Sequence, residues 1–167
     1  MDSVLVCDVD NTIADTAAEL VRRFGAPGDP ADYMSYLPRY FETSQWPDIF
    51  HAARPILGSL EAQRILAAQG WLIYFVTDRQ AEWATQTMDW LFAHGYWGEH
   101  VLGLTCGTPK GQVLDEVKSF GAHVVYVDDL PCGSVPPGVQ VIPHARPWQA
   151  HGMTWDHIAS YLRRGGL

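Results

Sequence analysis

The chain has 167 residues, of which 47% are apolar and 18% charged, and this composition is that of a globular domain rather than a disordered or fibrous protein. A chain of this length buries one compact core and leaves room for only a small insertion. The formal net charge of -8 disfavours nucleic acid and anionic membranes as partners, so an anionic ligand must be held by local groups.

Five short apolar runs, bounded by turn residues or acidic residues, have the composition of strands buried on both faces. They cover residues 4–7, 71–76, 101–104, 124–127 and 139–142. Such continuous runs are typical of parallel sheets, whose two faces are covered by helices. Because helical patterns alternate with these runs, we predict a doubly wound α/β fold.

Three of the helical patterns end directly before a glycine, which is a common C-terminal stop. They cover residues 56–69, 80–94 and 109–120 and are followed by Gly70, Gly95 and Gly121. Thr154 is placed to cap a last helix that runs through Leu162.

The stretch from residue 16 to residue 55 interrupts this alternation. It begins with Thr16-Ala17-Ala18-Glu19, which has the spacing of a capping box, and continues into a segment rich in proline and aromatic residues. We predict a small helical cap at residues 16–55, inserted into a core domain of residues 1–15 and 56–167. Its aromatic residues would either stack on a nucleobase or form the cap's own core. They are Tyr33, Tyr36, Tyr40, Phe41, Trp46 and Phe50.

Carboxylates follow two of the predicted strands. Asp8 and Asp10 follow the first, and Asp128 and Asp129 follow the fourth, at the edge where open α/β sheets bind ligands. If these strands are neighbours, each like-charge pair at ~4 Å costs about 4 kcal/mol at an effective dielectric constant of ~20. A cation would relieve this repulsion, and oxygen ligands favour Mg²⁺ over zinc. A polar turn capped by Asp or Asn is the alternative reading of the first pair.

Groups that can bind phosphate follow the second strand and open a later helix. Thr77, Asp78 and Arg79 lie at the end of the second strand, where the alternative roles are a helix cap for Thr77 and a solvated position for Arg79. Thr108 and Pro109 have the pattern of an N-cap and first helical residue, which puts Lys110 in the first turn. A cation there opposes the helix dipole, which indicates a nearby anion.

These motifs occur in a recognisable order: DxDxT after the first strand, Thr after the second, Lys at a later helix start and an Asp pair after the next strand. In this order the chain resembles the haloacid dehalogenase-like phosphohydrolase superfamily over nearly its whole length. The resemblance implies a Rossmann-like fold with a parallel five-stranded sheet flanked by helices and a small helical cap after the first strand. It also implies a Mg²⁺-dependent phosphatase that works through an aspartyl-phosphate intermediate.

The resemblance also implies a role for each matching residue. Asp8 would be the nucleophile, and Asp10 would protonate the leaving oxygen and then activate water. Thr77 and Lys110 would bind the phosphate, with Asp78 and Arg79 beside them. Asp8, the backbone carbonyl of Asp10 and either Asp128 or Asp129 would hold Mg²⁺, with the motif alignment favouring Asp129. Asn11 stands where the family usually has Gly, and Asn also tolerates a left-handed backbone.

Within this superfamily the chain looks most like the 5'(3')-deoxyribonucleotidases and their bacterial and phage relatives. The likeness depends on residues 55–59, on the spacing from there to Thr77 and on residues 145–148 after the last strand, which read Pro-Ile-Leu-Gly-Ser and Ala-Arg-Pro-Trp. It implies a small phosphorylated substrate, in particular a nucleoside monophosphate.

Other activities remain open at this point. Residues 77–79 also resemble a motif in the 3'-phosphatase domain of polynucleotide kinases, although the negative net charge disfavours a nucleic-acid substrate. A sugar phosphate is a further candidate substrate. Among non-enzymatic proteins, a receiver-type domain carries similar groups, but there the Asp pair precedes the phosphorylated Asp. A degenerate phosphate-binding protein would have lost one of the four motifs, and all are present here.

The location and assembly of the chain are predicted from simpler features. Cys7, Cys106 and Cys132 are far apart and in no CxxC arrangement, which suits a reducing compartment. No run approaches membrane-spanning length, and no signal peptide pattern opens the chain. We therefore expect a cytoplasmic protein without a membrane partner, either a monomer or a homodimer.

Overall fold

The structure is a computed structural model that describes residues 3–25, 46–120, 123–145 and 152–165. Its centre is a five-stranded sheet in the order β3-β2-β1-β4-β5, in which all neighbouring strands are parallel. The strands are β1 (Ser3–Asp8), β2 (Leu72–Thr77), β3 (Val101–Cys106), β4 (His123–Asp128) and β5 (Gln140–Pro143). The predicted α/β fold with a parallel sheet of five strands is confirmed.

Helices surround the sheet. In chain order they are α1 (Thr16–Phe24), α2 (Trp46–Ala52), α3 (Ser59–Ala68), α4 (Ala84–Ala93), α5 (Lys110–Ser119) and α6 (Trp155–Arg163). Helices α1 and α2 belong to the predicted cap, and α2 packs against both α1 and α4. Tyr33, Tyr36, Tyr40 and Phe41 lie outside the described residues. In the described part of the chain, no helix has both the length and the apolar character needed to cross a membrane.

Each face of the sheet has its own apolar core because side chains alternate along a strand. Leu5 and Cys7 of β1 belong to one core cluster, which includes Leu66 of α3 and Ile158 of α6. Val4 and Val6 of the same strand belong to the opposite cluster, which is completed by α5. The members that α5 contributes are Val113, Leu114 and Val117. Burial on both faces explains why the strands read as continuous apolar runs.

A third apolar cluster joins helices α1 and α2 to the residues that follow β2. It consists of Leu20 of α1 and Trp46, Ile49 and Phe50 of α2, with Trp83 packed against them. Trp83 ends the short 3-10 helix Ala81–Trp83 that precedes α4. Helices α1 and α2 are therefore anchored close to the end of β2.

The start of α1 differs from the prediction. Its N-cap is Asp15, whose side chain accepts a 3.1 Å hydrogen bond from the Ala18 N–H, so the predicted capping box at Thr16 is wrong. Asp is as good an N-cap as Thr, and the Thr16 hydroxyl instead donates to Asp10. Glu19, the other half of the predicted box, forms ion pairs with Arg22 and Arg23.

Other helix starts are displaced along the chain. Helix α3 begins at Ser59 rather than residue 56, after Gly58 in a left-handed conformation. Helix α4 begins at Ala84 because a 3-10 turn occupies the residues before it. Helix α5 has Pro109, not Thr108, as its N-cap, so Lys110 is its first residue. Thr154 does precede α6, but its side chain makes no capping hydrogen bond within the described residues.

Candidate active site

The loop after β1 turns sharply and carries two carboxylates at the carboxyl edge of the sheet. Asn11 has a left-handed backbone with φ of 60°, as the sequence predicted for this position, and its N–H donates to the Ala14 carbonyl at 2.7 Å. The Asn11 side-chain oxygen accepts a 2.8 Å hydrogen bond from the Ala17 N–H. The loop is therefore tied to the first turn of α1, with Asp8 before it and Asp10 within it.

Pairing of β1 with β4 brings the predicted carboxylates together. Cys7 lies opposite Val127, so the next residues of both strands meet at the same edge. Asp8, Asp128 and Asp129 are buried, and each offers a carboxylate oxygen within 4.8 Å of those of the other two. This cluster of acidic groups is the one expected if the two strands are neighbours.

Lys110 lies among these carboxylates. Its Nζ is 2.9 Å from Asp8 Oδ1, 2.7 Å from Asp128 Oδ2 and 3.2 Å from Asp78 Oδ2. Burial lowers the pKa of Lys110, but the charges of Asp8 and Asp128, followed by Tyr126 and Asp78, outweigh burial and raise the pKa above its usual value. The side chain is therefore a permanent ammonium group, and the anion predicted near this helix start is present.

Asp128 is held from three directions. Its Oδ2 accepts hydrogen bonds from Lys110 and from the Tyr126 hydroxyl, and its Oδ1 accepts a 2.7 Å bond from the Leu130 N–H. Burial raises the pKa of Tyr126, with Lys110 opposing this effect and Asp128 adding to it, so the phenol remains a donor. These contacts make Asp128 a structural anchor for Lys110.

Thr12 connects the other two carboxylates. Its Oγ1 lies 3.2 Å from Asp8 Oδ2 and 3.4 Å from Asp129 Oδ1, and it accepts a 3.0 Å bond from the Asp129 N–H. The hydroxyl thus lies beside one oxygen of Asp8 and one of Asp129, and Lys110 binds the other Asp8 oxygen.

The cluster carries more negative than positive charge. Three buried carboxylates surround one buried ammonium group. Burial raises the pKa of Asp8 well above its usual value, Lys110 opposes the rise, and Asp128, Asp129 and Asp10 add to it. A divalent cation fits this donor set, because the available groups are oxygens and the excess charge is negative.

The hydrogen-bond partners of Asp10 are an arginine and two threonine hydroxyl groups, whereas those of Asp8 and Asp128 include Lys110. Arg79 contacts both carboxylate oxygens, with Nε 2.8 Å from Oδ2 and Nη2 2.7 Å from Oδ1. Thr16 donates to Oδ1, and Thr77 Oγ1 lies 3.4 Å from Oδ2. Burial raises the pKa of Asp10, but the charge and hydrogen bonds of Arg79, with that of Thr16, outweigh it and lower the pKa below its usual value.

Of the three residues at the end of β2, two are buried and one lies at the rim of the site. Thr77 is buried and its hydroxyl accepts a 3.2 Å bond from the Arg79 N–H. Arg79 is 3% exposed, so its alternative placement as a solvated residue is wrong. The Asp78 side chain is 76% exposed and lies at the rim beside Lys110. An open cavity of about 840 Å³ adjoins Asp78 and Lys110 and extends along the loop of residues 130–137.

Several residues around the site were not singled out from the sequence. Thr12 lies within the DxDxT motif, but the sequence assigned it no role. Tyr126 could have been found from the sequence, because it lies two residues before Asp128 and therefore on the same face of the strand. No sequence pattern places Thr16 and Thr87 at the site, because their contacts with Asp10 and Arg79 arise from the tertiary fold. Trp46 is 2% exposed and stacks on Phe50, as the alternative of a cap core predicts.

Comparison with known proteins gives structural relatives only. No protein-family model matches the chain, and no curated protein matches its sequence. A haloacid dehalogenase-like family hydrolase from Xanthomonas campestris is similar in structure, with a TM-score of 0.61 at 13% identity over 98% of this chain and 95% of that chain.

Two further structures have the same architecture. A HAD family hydrolase from Deinococcus radiodurans R1, with bound phosphate and sodium, has a TM-score of 0.56 at 15% identity over 99% of this chain and 96% of that chain. A class C acid phosphatase from Bacillus anthracis with tungstate bound has a TM-score of 0.52 at 18% identity over 99% of this chain and 78% of that chain. The chain therefore has the fold of the haloacid dehalogenase-like hydrolases.

Proposed function

We propose that this protein is a Mg²⁺-dependent phosphatase that hydrolyses a small phosphomonoester through an aspartyl-phosphate on Asp8. The observation that carries the proposal is the ammonium group of Lys110 between the buried carboxylates of Asp8 and Asp128, with Asp129 and Asp10 beside them. The fold supports it, since a class C acid phosphatase and a hydrolase with bound phosphate share this architecture.

Asp8 and Asp10 would have separate roles in the reaction. An Asp8 oxygen attacks phosphorus, the bond from phosphorus to the leaving oxygen breaks, and Asp10 gives that oxygen a proton. Asp10 takes up this proton when the substrate binds, because Arg79 lowers its pKa in the free protein and the negative charge of the bound phosphate raises it. Asp10, now a carboxylate, removes a proton from water as the water attacks the phosphorus of the aspartyl-phosphate. Inorganic phosphate leaves, Asp8 is restored as a carboxylate and Asp10 is again protonated.

Lys110 and Thr77 would hold the substrate phosphate. Lys110 carries a permanent charge and already contacts the Asp8 oxygen, so it can contact a phosphoryl group on that residue. Thr77 offers a buried hydroxyl within 3.4 Å of Asp10. Asp78 and Arg79 are also predicted to bind the phosphate, but Asp78 lies at the rim and Arg79 contacts both oxygens of Asp10.

Asp8 and Asp129 would hold Mg²⁺, together with the backbone carbonyl of Asp10. Asp129 is favoured over Asp128 because the Thr12 hydroxyl lies beside both Asp8 Oδ2 and Asp129 Oδ1, whereas Asp128 binds the Lys110 ammonium group. When bound, Mg²⁺ would neutralise the excess negative charge and stabilise charge on the transferring phosphoryl group.

The substrate we propose is a nucleoside monophosphate. The support is the resemblance to 5'(3')-deoxyribonucleotidases together with a cap segment anchored beside the site through Phe50 and Trp83. Small caps exclude polymers and water from the reacting groups. Sugar phosphates and 3'-phosphorylated nucleic-acid ends are the rival substrates, and a phosphate-binding protein without turnover is the non-enzymatic rival.

A phosphatase screen tests the proposal. Nucleoside monophosphates, sugar phosphates and 3'-phosphorylated oligonucleotides are incubated with the protein, with and without Mg²⁺, and released phosphate is measured. We expect Mg²⁺-dependent release, fastest from a nucleoside monophosphate, and none from Asp8→Asn. Absence of release from every substrate would refute the enzymatic function, whereas release only from another substrate class would refute the nucleotidase assignment.

A further inference from the structure

Arg79 lies between Asp10 and an aromatic ring of the cap segment. The Arg79 side chain is 1% exposed and contacts both oxygens of Asp10 through Nε and Nη2. A third donor, Nη1, lies 3.1 Å from Thr87 Oγ1, which in turn donates to the Trp83 carbonyl at 2.9 Å. The named donors of Arg79 are thus directed at Asp10 and at the start of α4.

The ring of Phe50 covers one face of the guanidinium group. Its centroid is 3.8 Å from Arg79 Cζ, which is a close cation–π contact. The ring is itself fixed, because Trp46 stacks on it at 5.2 Å and Trp83 contacts it edge-on at 5.4 Å. Phe50 belongs to α2, so this contact joins α2 to Asp10 through Arg79.

We propose that Arg79 and Phe50 are positioning residues for Asp10, with Phe50 acting through Arg79; this inference rests on the proposed phosphatase function. The planar fork of Arg79 meets both Asp10 oxygens and sets the rotation of that carboxyl group. The fork keeps its own plane because Phe50 covers its face and Thr87 holds its outer nitrogen.

This arrangement has a specific consequence for the reaction. When Asp10 transfers its proton to the leaving oxygen it becomes a carboxylate, and Arg79 then donates to both of its oxygens. Without the fork, the carboxylate that forms on Asp10 loses these two donors and its fixed rotation, and this slows the step in which Asp10 acts as an acid. A leaving group that departs as a stable anion needs this proton less than a basic leaving group does.

The test compares two esters of similar shape, phenyl phosphate and p-nitrophenyl phosphate. Their kcat/KM values include steps only through phosphoryl transfer to Asp8, and the phenolate of phenyl phosphate is the more basic leaving group. The ratio of the two values is independent of the active fraction of a preparation, because both are measured on the same sample. A variant that is only partly folded therefore leaves the ratio unchanged.

We expect Phe50→Leu to lower the ratio for phenyl phosphate over p-nitrophenyl phosphate by about threefold or more, as loss of a desolvated cation–π contact implies. Arg79→Lys, which keeps the charge but loses the fork, should lower it further. The matched control is Ile49→Val, a neighbouring buried position of α2 in the same apolar cluster, and its ratio should equal that of the wild type.

The other outcomes overturn the inference. An unchanged ratio in Phe50→Leu, or an equal fall in Ile49→Val, would show that the ring has a structural role only. If Phe50→Leu yields no folded protein, an unchanged ratio in Arg79→Lys and in Thr87→Val overturns the positioning role of Arg79. A wild-type protein inactive on both esters and in the substrate screen would instead refute the proposed function, and this inference with it.

Discussion

The indole nitrogen of Trp155 donates a 2.7 Å hydrogen bond to the backbone carbonyl of Thr12. Trp155 is the first residue of α6 and is 1% exposed, and Thr12 touches two carboxylates of the site. Helix α6, although distant in sequence, thus holds the loop that separates Asp8 from α1.

Trp155→Phe should therefore lower both stability and activity. The change leaves the Thr12 carbonyl buried without this partner, at a cost of about 1–3 kcal/mol. Urea unfolding and the kcat for phosphate release measure the two effects. The control is Ser160→Ala on the exposed side of the same helix, for which we expect a change within about 0.5 kcal/mol. Equal stabilities for the two variants would contradict the role of this hydrogen bond.

Asp8→Asn separates chemistry from folding. The amide cannot form an aspartyl-phosphate, so phosphate release should be lost, and a variant that keeps a tenth of wild-type activity would rule out Asp8 as the nucleophile. Burial raises the pKa of the Asp8 carboxyl, so its charged form is unfavourable in the fold. We therefore expect Asp8→Asn, without Mg²⁺, to unfold at a temperature no lower than that of the wild type.

Lys110→Met tests whether the ammonium group holds the cluster together. Removing it leaves Asp8 and Asp128 buried without their shared partner, and breaking a buried pair in this way costs about 3–5 kcal/mol. Lys118→Met, in the last turn of the same helix, should cost only about 1 kcal/mol or less, as loss of a cation near a helix C-terminus does. Adding Asp128→Asn to Lys110→Met should recover part of the loss in urea unfolding. No recovery would show that charge imbalance is not the cause.

The sequence predicted the sheet and the site because both depend on local patterns. Strands buried on both faces must be apolar throughout, and the groups after them must meet at one edge of a parallel sheet. The positions of Asp8 and Thr77 follow from these rules, and that of Lys110 follows from the pattern of the helix start and the helix dipole. The left-handed Asn11 follows from its place in the turn.

Two kinds of feature could not be predicted from the sequence. One is the choice between residues of similar propensity, and the other is a contact that only the tertiary fold creates. Asp15 and Thr16 are both good N-caps, and the choice between them depends on Asp10, which uses the Thr16 hydroxyl. The contact of Phe50 with Arg79 joins two elements whose relative placement no local pattern encodes. Helix starts moved by a few residues for the same reason, as the 3-10 turn before α4 illustrates.

Mg²⁺ should raise the unfolding temperature of the wild type, since a ligand at 100 times its Kd adds about 2.7 kcal/mol to the free energy of unfolding. For a domain of this size, each kcal/mol corresponds to about 2–4 °C. Asp129→Asn should abolish the shift, because it removes a proposed ligand of the ion. Asp128→Asn should instead destabilise the metal-free protein, because Asp128 anchors Lys110, Tyr126 and Leu130. The reverse pattern would assign the metal to Asp128.

Glu19 gives the fold a pH dependence at acid pH. It accepts hydrogen bonds of 2.8 and 2.6 Å from Arg22 and one of 2.6 Å from Arg23. The hydrogen bonds of Arg22 lower the pKa of Glu19 from its usual 4.5 to about 2, against the opposing effect of burial and with the help of Arg23. Because the folded pKa is below the unfolded one, the contribution is complete above pH 4.5 and is lost as the pH falls toward about 2.

Glu19→Gln should therefore be modestly less stable than the wild type at pH 7, since Arg22 is largely exposed and such pairs contribute little. The difference in free energy of unfolding, measured with urea, should shrink steadily as the pH is lowered below 4.5. Glu61→Gln, in the first turn of α3, removes an exposed carboxylate and is the control for the change of residue type. A Glu19→Gln difference that is as large at pH ~3 as at pH 7 would show that packing, rather than the ion pairs, causes it.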